Sequence, residues 1–305
     1  MSRVLLTGAT GFIGRHLAPA LATQGFSVRA ALRRPEQLEA LDPAIEPVVV
    51  GDLAEEIDWR PALADVVSVV HLAGVAHTGA SRSADAYDRV NRQAAVHLAR
   101  AARDAGARFV FVSSVRAQSG PAASGVLTED TSPAPTDAYG RSKLAAEREI
   151  AALGGAYVIL RPTLVYGRGV GGNMGALLRL ARLPIPLPVG AIRNARSLLA
   201  IENLTAAVQL ALTSQATLAG TFLVADAVPL SLAEIIAVVR RGAGRRPGLM
   251  PVPPGLLGGA LKLIGRGEMW ERLSGNLVVS TARLAALGYV PRAPAEALAA
   301  LGRDG

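Results

Sequence analysis

Tyr139 and Lys143 stand four residues apart in the run AYGRSK, and Lys143 is one of only two lysines in a chain with 32 Lys and Arg. The other is Lys262. A sequence that writes arginine almost everywhere else points to a position where a broad guanidinium would not serve, because lysine carries a compact charge on a slim stem. Residues i and i+4 of a helix lie one above the other on one face, so a phenol and an ammonium would share a pocket. A nearby cation favours the ionised phenol. Such a pair suits general acid or base work on a carbonyl or hydroxyl. The same spacing also fits an ordinary surface helix, so a second motif must decide.

That motif lies at the start of the chain. Thr7-Gly8-Ala9-Thr10-Gly11-Phe12-Ile13-Gly14 follows an apolar run and opens a helical one. Gly8, Gly11 and Gly14 permit a tight turn, close backbone approach to a pyrophosphate, and helix–strand packing. The helix N-terminus adds unpaired N–H groups and partial positive charge. Dinucleotide binding follows. A carboxylate reading the ribose is expected at the end of the second strand, yet the run there is Val28-Arg-Ala-Ala-Leu-Arg-Arg34. Arg33 and Arg34 can instead grip a 2′-phosphate, which favours NADP over NAD; the alternative is that one or both are merely solvated. Asp52, in Gly51-Asp52-Leu53, is placed to meet the adenine with Leu53 beside it. Leu72-Ala73-Gly74 supplies small residues where the backbone approaches the cofactor.

The elements that position these residues alternate. Val4–Leu6, Val28–Leu32, Val48–Val50, Val67–Leu72, Phe109–Val112 and Val158–Leu160 read as buried strands, with helical spacing over 12–23, 84–105 and 137–152. This pattern predicts an α/β fold: a Rossmann-type, doubly wound parallel sheet covered on both faces. After Pro162 the texture shifts to glycine and proline. A smaller C-terminal substrate-binding lobe is expected from 168–196 plus 228–305, with 1–167 plus 197–227 forming the cofactor domain.

Composition narrows the classes. Half of the 305 residues are hydrophobic, and there is no cysteine, which excludes disulfides and thiolate metal sites. Four histidines argue against a dedicated metal centre. The first apolar run is too short for a signal peptide and 254–264 is far below membrane-spanning length, so a soluble, cytoplasmic protein without membrane insertion is expected. The net charge of +8 invites a nucleic-acid reading. Scattered arginines and an aromatic content of 4% argue against it, and phosphate-bearing small molecules account for the charge equally well.

Together, TGATGFIG, GDL, HLAG, a serine pair before a loop, and Tyr-x-x-x-Lys resemble the extended short-chain dehydrogenase/reductase family. LRPTLVYG (160–167) is similar to that family's segment after the sixth strand, and the matches run in order through 1–213. The resemblance implies that Ser114 completes a triad with Tyr139 and Lys143; strand alternation turns Ser113 to the opposite face. It implies that Phe12, Ile13 and Pro162 join the glycines, Tyr139 and Lys143 in holding the cofactor. Asn91 would support Lys143 through water, with an ordinary helix asparagine as the alternative.

Within the family the chain looks most like nucleotide-sugar enzymes. Asn173 resembles the asparagine that meets the sugar diphosphate, and Arg196 the arginine that grips it. Val189 would pack near the base, and Arg116 would touch the substrate. The runs FVSSVRAQSG and PLPVGAIRNARSLLAIENL resemble bacterial polysaccharide-locus enzymes, among them 4-reductases of UDP-linked 4-keto-6-deoxy-N-acetylhexosamines. The resemblance thus implies a nucleotide-sugar substrate and an NADPH-dependent 4-ketoreductase, with an NAD-dependent 4-epimerase as the alternative. Lys143 would depress the pKa of Tyr139, and a homodimer through 84–105 and 137–152 is a family expectation. Departures are specific. Val115 and Arg116 follow Ser114 where dehydratases carry an Asp-Glu pair, Ser119-Gly120 replaces a tyrosine–glycine pair, and Arg168 replaces a proline.

Overall fold

The computed structural model describes residues 2–75, 83–214, 219–263 and 265–303. Positions 1, 76–82, 215–218, 264 and 304–305, which fall within the expected domain segments, lie outside the described residues. The strands are β1 (Arg3–Thr7), β2 (Ser27–Leu32), β3 (Glu46–Val49), β4 (Ser68–His71), β5 (Arg108–Val112) and β6 (Val126–Leu127). They continue as β7 (Tyr157–Pro162), β8 (Leu164–Tyr166), β9 (Leu198–Ala200), β10 (Gly220–Val224) and β11 (Val278–Val279). Seven of them form one parallel sheet in the order β10-β7-β5-β4-β1-β2-β3. The order reverses direction at β1, so a crevice opens beyond the carboxyl ends of β1 and β4, where such sheets bind ligands.

Alternation along the strands explains the layering. Val4 and Leu6 of β1 face one cluster and Leu5 the other. The first face is covered by α1 (Phe12–Thr23) and, late in the chain, by the helix Ile201–Thr213. The second is covered by a continuous helical stretch made of α2 (Ala84–Tyr87), a π-helical segment Asp88–Gln93 and α3 (Ala94–Asp104), together with α4 (Ala138–Leu153). The helix read at 84–105 therefore carries a π segment that periodicity alone did not show. The third strand is Glu46–Val49, earlier than read, with Pro47 tolerated on the sheet edge.

A separate apolar cluster lies past the sheet's carboxyl edge. It joins α5 (Gly172–Arg182) to the helices Leu232–Gly242 and Pro294–Arg303 through Met174, Leu178, Ile235, Ile236, Leu298 and Leu301. Leu198 and Ala200 of β9 belong to it, although β10, only twenty residues on, sits in the main sheet. Two small parallel pairs, β8–β9 and β6–β11, stitch this region to the site loops. At the joint, Tyr166 donates its hydroxyl to Asp226 at 2.8 Å, and the same carboxylate accepts from the Ala200 amide and Asn203, each at 2.7 Å. No helix among the described residues is long and apolar enough to cross a membrane.

Candidate active site

The β1–α1 turn is built by absent side chains. Gly8 has φ +73°, and an added Cβ would lie 2.8 Å from the Ala73 amide nitrogen. At Gly14 the same addition would come within 2.2 Å of the Gly8 carbonyl oxygen, so helix and turn pack backbone to backbone. The turn closes through a 3.0 Å bond from the Gly11 amide to that carbonyl. Thr7 Oγ1 accepts from the Ala73 amide at 3.2 Å and shares a 2.8 Å bond with His71 Nδ1, tying the ends of β1 and β4.

Above this turn runs a groove of about 530 Å³. Of the residues picked from sequence, Gly8, Gly11, Arg33, Asp52 and Leu53 line it, as do Leu72, Ala73 and Gly74. Arg33 pairs with Asp52 across the groove. Arg34 lies beside it, exposed, in an adjoining recess of about 420 Å³ lined also by Glu36 and Gln37. Gln37 was not picked from sequence. Its carbonyl oxygen accepts from the Arg33 and Arg34 amides at 2.8 and 3.2 Å, and its amide donates to Thr10 at 3.2 Å. It thereby fastens the arginine loop to the glycine turn. The signal was a glutamine just after Pro35, able to reach back over a short helical turn.

Other residues picked for the cofactor lie off this wall. Ile13 packs against the core, and Phe12 turns its ring to His16, 5.5 Å between centroids. Pro162 is buried in the sheet opposite Val224. Asn91 sits fully buried on the π segment, where it accepts from the Val75 amide at 2.8 Å and donates to the Val75 carbonyl and to Ser142. It clamps the backbone after β4 to α4; the structure gives it no direct bond to Lys143. A Cβ on Gly74 would meet Asn91 Oδ1 at 2.8 Å and Lys143 Nζ at 3.4 Å, so the groove wall and the lysine adjoin.

Ser114, Tyr139 and Lys143 converge at the far end of β5. Tyr139 stands in the first turn of α4, whose N-cap Asp137 accepts from the Gly140 amide at 2.7 Å. Ser114 stands near enough to the Tyr139 hydroxyl to pull its pKa down, and its own Oγ accepts from the Arg116 amide at 3.1 Å. Ser113, by contrast, donates to the buried Glu147, so the two adjacent serines serve opposite sides of the strand. Lys143 is buried, donates to the Val112 carbonyl at 3.3 Å and lies 4.6 Å over the Phe111 ring. Burial pulls its pKa down to about 8, with Glu147 one turn on acting the other way.

Several groups act on the acidity of Tyr139. Burial pushes its hydroxyl up; the Ser114 hydroxyl and the Arg116 charge pull it down, while Asp137 and Tyr87 push it further up. Arg116 is thus a second cation that favours the phenolate, arriving from the turn after β5. Tyr87, missed in the sequence, packs edge-on against the Tyr139 ring at 6.0 Å. His71 is fully buried and stacked near Phe109 and Phe111, its Nε2 without a hydrogen-bond partner among the described residues. Burial, then the Lys143 charge, pulls it down to about 3, so it stays neutral.

On the opposite side, Arg116 pairs with Asp137. Arg196 donates to the Gly275 carbonyl at 2.9 Å and to the Pro121 carbonyl at 3.3 Å, and among the described residues it forms no ion pair with a carboxylate. Burial and the neighbouring Arg116 lower its pKa from the usual arginine range. The site thus holds a half-buried cation whose side-chain partners among the described residues are carbonyl dipoles. Asn173 is exposed in the first turn of α5, and Val189 packs at the edge of the C-terminal cluster.

Comparison with known proteins agrees with this geometry. A family model described as the NAD dependent epimerase/dehydratase family matches residues 4–225. The UDP-glucose 4-epimerase of Vibrio cholerae is 34% identical over 301 residues, spanning 94% of this chain and 90% of that protein. MoeE5, solved in complex with UDP-glucuronic acid and NAD, is 25% identical, with a TM-score of 0.76 over 98% of this chain and 97% of that one. The UDP-N-acetylglucosamine 4-epimerase from Bacillus cereus shares the fold, with a TM-score of 0.80 at 22% identity and 100% coverage of both chains.

Proposed function

As the chain belongs to the NAD dependent epimerase/dehydratase family, whose enzymes work with nicotinamide dinucleotides, we propose that it uses NADPH to reduce the ring ketone of a nucleotide-linked 4-keto sugar. A UDP-linked 4-keto-6-deoxy-N-acetylhexosamine, on the way to a polysaccharide precursor, is the substrate type that best suits its residues. The observation that carries this reading is the arginine pair at the end of β2. Where a ribose-reading acid would select NAD, Arg33 and Arg34 present cations to the groove and its recess. A 2′-phosphate answers both, and net reduction draws on the phosphorylated cofactor.

The groove suits a dinucleotide. Gly8 and Gly74 leave backbone open where side chains would intrude, and the first turn of α1 has no side-chain cap to occupy its N–H groups. Gln37 steadies the arginines, Asp52 and Leu53 face the adenine end, and Gly74 and Lys143 mark the nicotinamide end. When bound, the nicotinamide supplies the hydride.

Tyr139 gives its proton to the ketone oxygen, and Ser114 donates to the same oxygen as charge develops there. Lys143 holds the cofactor ribose and fixes positive charge next to the reacting atoms. Arg196 takes the substrate diphosphate, turning remote binding into orientation of the sugar. In this reading 168–196 plus 228–305 act as the substrate lobe, and 1–167 plus 197–227 as the cofactor domain. Dehydration is disfavoured, because Val115 and Arg116 stand where an acid pair would be needed and Arg116 is already paired to Asp137.

A second reading, 4-epimerisation with a retained NAD, is favoured by the similarity to the Vibrio cholerae epimerase. It uses the same Ser114 and Tyr139. Incubation with NADPH and the keto-sugar nucleotide separates the two. Stoichiometric loss of NADPH supports the reductase; interconversion of UDP-hexoses without added cofactor supports the epimerase and overturns the first proposal.

A further inference from the structure

Tyr139 is surrounded by groups of both charge signs, and two of them are joined to each other. The Asp137 carboxylate does two jobs. One oxygen caps α4 by accepting from the Gly140 amide at 2.7 Å, and the other pairs with the Arg116 guanidinium. Arg116 also acts through its backbone, since its amide donates to Ser114 Oγ at 3.1 Å. The turn Val115–Ala117 and the first turn of α4 touch without a side chain between them: a Cβ on Gly140 would lie 2.2 Å from the Arg116 carbonyl oxygen. One ion pair therefore joins the turn that presents Ser114 to the helix that presents Tyr139.

We propose that the Arg116–Asp137 pair is a positioning device for Tyr139, fixing the turn that presents Ser114 against the helix turn that presents the tyrosine and setting one charge of each sign beside it. This rests on the reading of Tyr139 as the proton donor. The other groups around the tyrosine do not substitute for the pair. Tyr87 offers a ring edge and a hydroxyl, Lys143 lies one turn along the helix against Phe111 and Val112, and Glu147 is held by Arg161 and Ser113. The Arg116 charge pulls the Tyr139 pKa down and the Asp137 charge pushes it up.

The two partners then have opposite effects, which a purely structural ion pair would not show. The test is a titration of tyrosinate absorbance in the NADP-bound protein, with the Tyr139→Phe protein subtracted as baseline. Arg116→Gln should raise the Tyr139 pKa and Asp137→Asn should lower it, each by about 1 unit. Asparagine still caps the helix, so the second variant retains its fold. Arg116→Lys keeps the charge and should return the titration to that of the parent protein. NADPH binding measured on each variant confirms that the domain is intact. Shifts in the same direction, or no shift in either variant, overturn the proposal while leaving Tyr139 as the acid. If the Tyr139→Phe protein turns over normally, the underlying reading fails and this role falls with it.

Discussion

Ser114 Oγ accepts from the Arg116 amide at 3.1 Å and draws the Tyr139 pKa down, although 24 residues of chain separate serine and tyrosine. Its neighbour Ser113 is turned away to Glu147. This division predicts a sharp contrast between the two serines. Ser114→Ala should lower kcat roughly a hundredfold to a thousandfold, as loss of a donor to a developing oxyanion does. Tyr139→Phe should lower it roughly a hundredfold to ten-thousandfold. Ser113→Ala should leave kcat within about threefold of the parent and act on stability instead, because its partner is a buried carboxylate. Steady-state kinetics on the three variants decide whether the chemistry lies on Ser114.

The arginines after β2 make a prediction about cofactor choice. Replacing Arg33 and Arg34 with alanine removes the charges offered to a 2′-phosphate. NADPH affinity should fall roughly tenfold to a hundredfold, the scale of charge-assisted bonds at a partly exposed site. NADH affinity should change far less. Equal losses for both cofactors in a fluorescence titration would show that the arginines serve the loop and not the phosphate.

Glu147 and Arg161 form a buried pair whose arms reach Ser113 and Gln118, and Gln118 holds the Thr131 carbonyl at 3.1 Å. Breaking one side strands a charge. Glu147→Gln should cost about 3–5 kcal/mol in urea denaturation, and the double change Glu147→Gln with Arg161→Met should recover much of it. A single-variant cost below about 1 kcal/mol would mean that water reaches the pair.

His71 gives the pH dependence of stability a readable component. Its folded pKa of about 3 lies below its ordinary value of 6.5. Between these values the unfolded chain binds the extra proton, so stability is fully present above pH 6.5 and falls as the pH drops towards 3. The residue accounts for about 4 kcal/mol over that window. In His71→Asn the acid-side slope should flatten by that amount relative to the parent, and identical slopes would place water or a counter-charge at the imidazole.

Much of this architecture was legible in the sequence because strand burial and the glycine turn are local signals. Val4–Leu6 announced a doubly buried strand, and Gly8, Gly11 and Gly14 announced the turn that meets Ala73. The choice of Ser114 over Ser113 followed from the alternation of a strand. What stayed hidden was non-local. No spacing rule joins Arg116 to Asp137, or Gln37 to Thr10, and Asn91 proved to be a clamp on Val75 because α2 bulges into a π segment there. Arg116, a further cation that acts on Tyr139, was hidden for the same reason: it arrives from another element.

The transfer of hydride to the sugar is the central claim, and isotope tracing reaches it directly. The protein is incubated with a UDP-linked 4-keto-6-deoxy-N-acetylhexosamine and NADPH deuterated at the nicotinamide C4, on each face in turn. One of the two labels should appear in the product as a single deuterium at sugar C4, with Tyr139→Phe abolishing the transfer. A product formed without deuterium from either label, or no product while NADPH still binds, would contradict it.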